Sequence, residues 1–101
     1  MILEVAILDV IPDQEGDFES AFAQVSRIIA GMPGYVSHQL QRCIENQNRY
    51  ILLVNWQNLA DHTIGFRSSI QYQEWRKLLH HFYDLFPTVE HYELIQDYSQ
   101  M

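Results

Sequence analysis

Two segments of this chain are apolar on both faces when read as β-strands, and this limits the fold more than any other feature. The first runs from Leu3 to Ile11 and is stopped by Pro12. One of its faces carries Leu3, Val5, Ile7 and Ile11; the other carries Ile2, Ala6, Leu8 and Val10. The second runs from Arg49 to Gln57, with Tyr50, Leu52, Val54 and Trp56 on one side and Ile51, Leu53 and Asn55 on the other. A strand wetted on one side alternates more cleanly than this. Both strands therefore belong inside a sheet that is covered on both faces.

The remaining elements decide what does the covering. Asp13 to Gly16 reads as a turn and Asp17 as a helix cap. Phe18, Phe22, Val25, Ile28 and Ile29 then recur at helical spacing, and Gly31-Met-Pro-Gly34 ends that helix. Tyr35 to Glu45 predicts a strand with Ser37, Gln39 and Gln41 on its polar side and Val36, Leu40 and Ile44 on the other. Asn46-Gln47-Asn48 closes a hairpin, since asparagine tolerates positive φ. Asn58 is placed to cap a short helix to about Phe66, with Asp61 near its positive end. Ser68-Ser69-Ile70-Gln71 has capping-box spacing and opens a further helix, its stripe formed by Tyr72, Trp75, Leu78, Leu79 and Phe82. Thr88 to Ile95 is the last strand, and the tail from Gln96 is expected to fray.

The order β-α-β-β-α-α-β predicts an α+β, ferredoxin-like single domain over residues 1–101, a four-stranded antiparallel sheet with helices on one face. Those helices cover one face only. The other would expose more apolar surface than soluble monomers usually tolerate. At ~25 cal/mol per Å², burying it is worth several kcal/mol. A homodimer, sheet face against sheet face, is the simplest solution.

Composition excludes several function classes. Six basic residues stand against thirteen acidic ones, a formal net charge of −7, which disfavours nucleic acid as a partner. One cysteine, Cys43, permits no internal disulfide. No apolar run reaches the ~20 residues of a membrane span, and the start carries no signal-peptide pattern. The expectation is a cytoplasmic protein with neither a nucleic-acid nor a membrane partner. No His-x-x-x-His, Cys-x-x-Cys, phosphate-loop or Gly-x-Ser-x-Gly spacing occurs, so no metal site is expected.

Several stretches carry a resemblance that covers Val5 to Glu93. They are Gly31-Met-Pro-Gly-Tyr35, Asn55-Trp56-Gln-Asn-Leu-Ala-Asp-His62, Phe66-Arg-Ser-Ser69, Tyr72-Gln-Glu-Trp75 and Val89-Glu-His-Tyr92. Together the chain resembles the antibiotic biosynthesis monooxygenase family, the dimeric α/β-barrel group. The resemblance implies a hydrophobic pocket between sheet and helices in each subunit. Some members oxidise aromatic polyketides with molecular oxygen and no added cofactor, some are quinol oxygenases, and some bind or degrade haem. The haem-degrading pattern of asparagine, tryptophan and histidine falls on Ala6, Phe66 and the vicinity of Arg76, and so departs from it. The polyketide-oxidising pattern keeps its tryptophan as Trp56, but its asparagine falls on Leu52.

The expected function is a cofactor-independent monooxygenase acting on a small aromatic or quinol-like molecule. His62 is the candidate base, taking a phenolic proton near neutral pH, and Trp56 is the candidate donor. Asn55, Phe66, Tyr72, Trp75 and Tyr92 are the expected substrate-binding residues, with Tyr50 and Tyr83 as further aromatic candidates. A non-catalytic binding or sensing module is the first alternative. Haem binding through His80 or His81 is the second; these two point about 100° apart on a helix.

Overall fold

In a computed structural model describing residues 1–99, the strands β1 (Ile2–Asp9), β2 (Tyr35–Arg42), β3 (Arg49–Trp56) and β4 (Thr88–Glu93) form one antiparallel sheet in the order β2-β3-β1-β4. Helices α1 (Glu15–Ala30) and α2 (Ile70–Leu79) cover one face. A π-helical segment, Asp61–Phe66, follows β3, and a 3₁₀ turn, His80–Phe82, follows α2. This is the expected ferredoxin-like α+β arrangement, and the sheet of one chain is open at β2 and β4. The expected fraying of the tail falls partly on residues 100–101, which lie outside the described residues; Gln96 to Ser99 are exposed beyond β4. No helix among the described residues is long and apolar enough to cross a membrane.

The sequence left open which face meets the helices. It is the face of Ala6 and Leu8 on β1 and of Tyr50, Leu52, Val54 and Trp56 on β3, all buried. Their register sets Ala6 beside Leu52 and Val89, at the sheet centre. The helical stripe Phe18, Phe22, Val25, Ile28 and Ile29 packs against them, as its spacing predicts. Leu3, Val5, Ile7, Ile51 and Leu53 face the other way and are only partly buried.

Local expectations fail where tertiary contacts intervene. Asp17 lies inside the first turn of α1; Gln14 is the boundary residue. The chain shifts register between Tyr35 and Ser37, so His38 and Leu40 turn inward while Val36 and Ile44 are exposed. The β2–β3 turn needs no positive φ, since Asp13 is the non-glycine residue that has one (72°). The Asn48 side chain instead donates to the Val10 carbonyl at 2.8 Å, tying the turn to β1. Helix α2 ends at Leu79 and leaves Leu78 39% exposed. Its N-cap is Ser69, one residue beyond the start of the expected capping box: Ser69 Oγ accepts from the Tyr72 N–H at 3.0 Å, while Ser68 donates to the Ile64 carbonyl.

Candidate functional site

A cavity of about 320 Å³ lies between the sheet and α2, near the lower end of the ~300–1,000 Å³ usual for small-molecule sites. Glu4, Ala6 and Leu8 of β1 and Leu52 of β3 form its floor. Phe66, Tyr72 and Trp75 wall it, and Arg67, Arg76 and Phe86 stand at its mouth. The floor residues are buried and the three mouth residues exposed.

Glu4 is the unexpected member. It is a carboxylate only 5% exposed, in a strand otherwise built of Leu, Val, Ile and Ala up to Asp9. A buried carboxylate needs partners, and this one has them. The Trp56 indole N–H donates to Glu4 Oε1 at 3.0 Å. His62 Nε2 stands 3.3 Å from the same oxygen, and His62 Nδ1 is 2.8 Å from His91 Nε2. His91 is the cross-strand neighbour of Glu4 on β4. The four side chains thus run in a line from β3 through the cavity floor to the sheet edge. The sequence carried one signal for Glu4: a lone charge in phase with the inward positions of an apolar strand.

Two local features deliver His62. Gly34 has φ +82°, and a Cβ there would collide with the Asp61 carboxylate. Asp61 in turn accepts from the Asn58 N–H at 3.1 Å, so the carboxylate at 61 fixes the turn, and the expected Asn58 cap is not made. The helix then widens, with the Arg67 N–H reaching back five residues to the His62 carbonyl at 3.1 Å. Such π-turns recur at functional sites. The widened turn lays the imidazole over Trp56, ring centroids 5.5 Å apart and 23° from parallel.

The electrostatics follow from burial. Desolvation pushes the Glu4 carboxyl above its ordinary pKa, while the Trp56 hydrogen bond and the Arg67 charge pull it back. Burial holds His62 down to about 3, helped by Arg67 and His91. His91 is lowered too, by burial and then Arg67. His62 is therefore neutral at physiological pH. Its Nδ1 shares a hydrogen bond with His91 Nε2, with donor and acceptor set by the tautomer, while its Nε2 faces the Glu4 carboxylate.

The other candidate residues separate by face. Phe66, Tyr72 and Trp75 line the cavity with His62, and Tyr83 joins them; burial raises the Tyr83 phenol, with Tyr72 adding to the shift. Trp56 lies behind the floor, with its single donor committed to Glu4. Asn55 is on the opposite sheet face, donating to Ser37 Oγ at 3.0 Å. Tyr92 is also on that face, half exposed and donating to Glu90 at 2.8 Å. Tyr50 donates to Glu19 beside α1 at 2.6 Å. His80 reaches the cavity mouth, whereas His81 packs on Phe82 with ring centroids 4.1 Å apart. Among the described residues no three His, Cys, Asp or Glu side chains are grouped to hold a metal ion.

Fold and cavity together define a ferredoxin-like α+β domain with an aromatic-walled chamber between sheet and helices. The family model for antibiotic biosynthesis monooxygenase matches residues 1–78, and the chain belongs to that family. It is 52% identical over 93 residues to the protein YczJ of Bacillus subtilis, covering 92% of this chain and 98% of that one. Among solved structures, a Bordetella bronchiseptica protein assigned to the antibiotic biosynthesis monooxygenases is similar at 36% identity and TM-score 0.91, covering 94% and 97% of the two chains. SnoaB of Streptomyces nogalater, a cofactor-independent oxygenase, shares the fold at 19% identity and TM-score 0.84, with coverage of 98% and 97%.

Proposed function

We propose that this protein is a cofactor-independent monooxygenase that oxidises a small phenolic or quinol-like molecule in the cavity, with Glu4 as the proton acceptor. The observation that carries the proposal is the buried Glu4 carboxylate at the floor of an aromatic chamber, its Oε1 held by Trp56 and faced by His62. Family membership and the likeness in fold to SnoaB support it.

The chemistry needs a base but no external reductant. Glu4 takes the phenolic proton; its raised pKa makes it a stronger base than an exposed carboxylate. The phenolate gives one electron to oxygen, and the two radicals combine at a hydrogen-bearing ring carbon ortho or para to the phenolate oxygen, forming a C–O bond. The peroxide takes up a proton and leaves as water with the carbon-bound hydrogen, so a carbonyl remains. One phenol and one O₂ thus give one quinone and one water, and the substrate supplies all four electrons. His62, at a pKa of about 3, is too weak a base for the first step. It positions Glu4 instead, and Trp56 does the same from the other side. Oxygen uptake with phenols and hydroquinones in the presence of a chelator tests the proposal. Uptake is expected to match quinone formation one to one and to fall at least tenfold in Glu4→Gln. No uptake with any of them, or full uptake by Glu4→Gln, refutes it.

A second copy covers the outer sheet face in this proposal. Leu3, Val5, Ile7, Ile51 and Leu53 form an apolar centre there, flanked by Ser37, Gln39, Gln41 and Glu90 on the edge strands. An apolar core with a polar rim is the usual anatomy of such contacts.

A further inference from the structure

Arg67 and Arg76 form the feature that phenol oxidation does not use. Both line the cavity at its exposed end. The chain holds thirteen carboxylates against six basic side chains. Arg42 and Arg49 are paired, with Glu19 at 3.4 Å and Asp9 at 2.8 Å. Among the described residues Arg27, Arg67, Arg76 and Lys77 have no carboxylate within 4.0 Å, and of these four Arg67 and Arg76 line the cavity. Two unpaired guanidiniums therefore stand on the exposed rim of the cavity in an otherwise acidic protein. The Arg67 charge reaches inward as far as Glu4, His62 and His91, pulling each pKa down, at Glu4 against the larger upward effect of burial, and Arg76 acts likewise on His80 after burial.

We propose that the ligand is an aromatic carboxylate, a phenol whose acid group is held by Arg67 and Arg76 at the mouth while its hydroxyl meets Glu4 at the floor. This rests on the cavity being a phenol site, as proposed above. Guanidinium matches carboxylate through paired N–H donors, and a local cationic mouth draws an anion in against the field of a negatively charged chain. The aromatic walls Phe66, Tyr72 and Trp75 lie between the two polar ends and suit a flat ring. The two ends also fix direction: the acid stays at the solvent side and the phenol enters first.

Binding without oxygen separates this inference from the oxidation itself. The probes are 6-hydroxy-2-naphthoate, with its acid and hydroxyl at opposite ends, and its methyl ester, titrated calorimetrically under nitrogen. The acid is expected to bind at least tenfold more tightly than the ester, with an advantage that shrinks as salt rises. Arg67→Met and Arg76→Met should each reduce that advantage, and the double variant should abolish it without weakening the ester. Neither arginine makes an ion pair within the described fold, so the variants should fold. Lys77→Met, outside the cavity, should change nothing. Equal affinity for acid and ester, or an advantage that survives in the double variant, overturns the carboxylate clamp and leaves the phenol site standing. Failure of both probes to bind overturns the clamp and the phenol site together.

Discussion

His62 makes the stability of this fold depend on pH with a sign that can be worked out. Its folded pKa is about 3 against an ordinary 6.5. The unfolded chain therefore takes up a proton below pH 6.5 that the folded chain refuses. Stability is fully present above pH 6.5 and is lost as pH falls from there toward 3. Linkage gives a loss of about 2 kcal/mol between pH 7 and pH 5 from this one side chain. For a domain of this length that is roughly 10 °C in Tm. Glu4 acts in the opposite direction. Its folded pKa is raised, so the folded state gains its proton first on acidification and recovers some stability. The clean comparison is therefore Glu4→Gln against Glu4→Gln/His62→Phe, by urea unfolding at pH 7 and pH 5 at one fixed protein concentration. His38 and His80 are lowered as well and contribute to both variants alike; both also carry His91→Gln, because His62→Phe would leave His91, itself lowered, without its hydrogen-bond partner. The variant that keeps His62 should lose about 2 kcal/mol more than the one without it. Equal losses would mean that His62 is not held neutral by burial, and the electrostatic account of the site would fall with it.

Three further outcomes follow from the same contacts. Trp56→Phe removes the donor to buried Glu4 while keeping an aromatic ring, and should cost about 1.5–3 kcal/mol in chemical unfolding; a change below 0.5 kcal/mol, on the order of a neutral surface substitution, would mean the hydrogen bond is not made. Gly34→Ala should destabilise by more than the ~1 kcal/mol of a left-handed alanine, because its Cβ meets Asp61, and Gly34→Ala/Asp61→Ala should recover part of that loss in the same assay. Leu53→Asp on the outer sheet face should turn a dimer into a monomer in sedimentation at micromolar concentration, with the circular dichroism of the fold retained; a wild type that already sediments as a monomer contradicts the proposed pairing.

Periodicity was enough to place the elements. The α1 stripe and the double-faced strands β1 and β3 are statements about period, and period survives folding because buried positions on a helix or strand have little choice of residue. The candidate site was legible only in part. His62, Phe66, Tyr72 and Trp75 are close in sequence, on consecutive segments of one layer, and they meet at one cavity. Asn55 and Tyr92 fail for a simple reason: each is one residue from an inward position, and one residue along a strand is the opposite face. His91, beside Tyr92, is the side chain that reaches the site.

By itself, then, the sequence determined the order of elements, the fold class and a sheet with apolar residues on both faces. Tertiary structure alone decided which face became the chamber. It also joined Glu4, Trp56, His62 and His91, which come from β1, β3, the π-segment and β4. Strand pairing at long sequence separation brings them together, and no local spacing encodes it. A carboxylate in an apolar strand has one cost on the wet face and another beneath a helix layer. Only the packed structure shows that Glu4 lies beneath one, where burial raises its pKa.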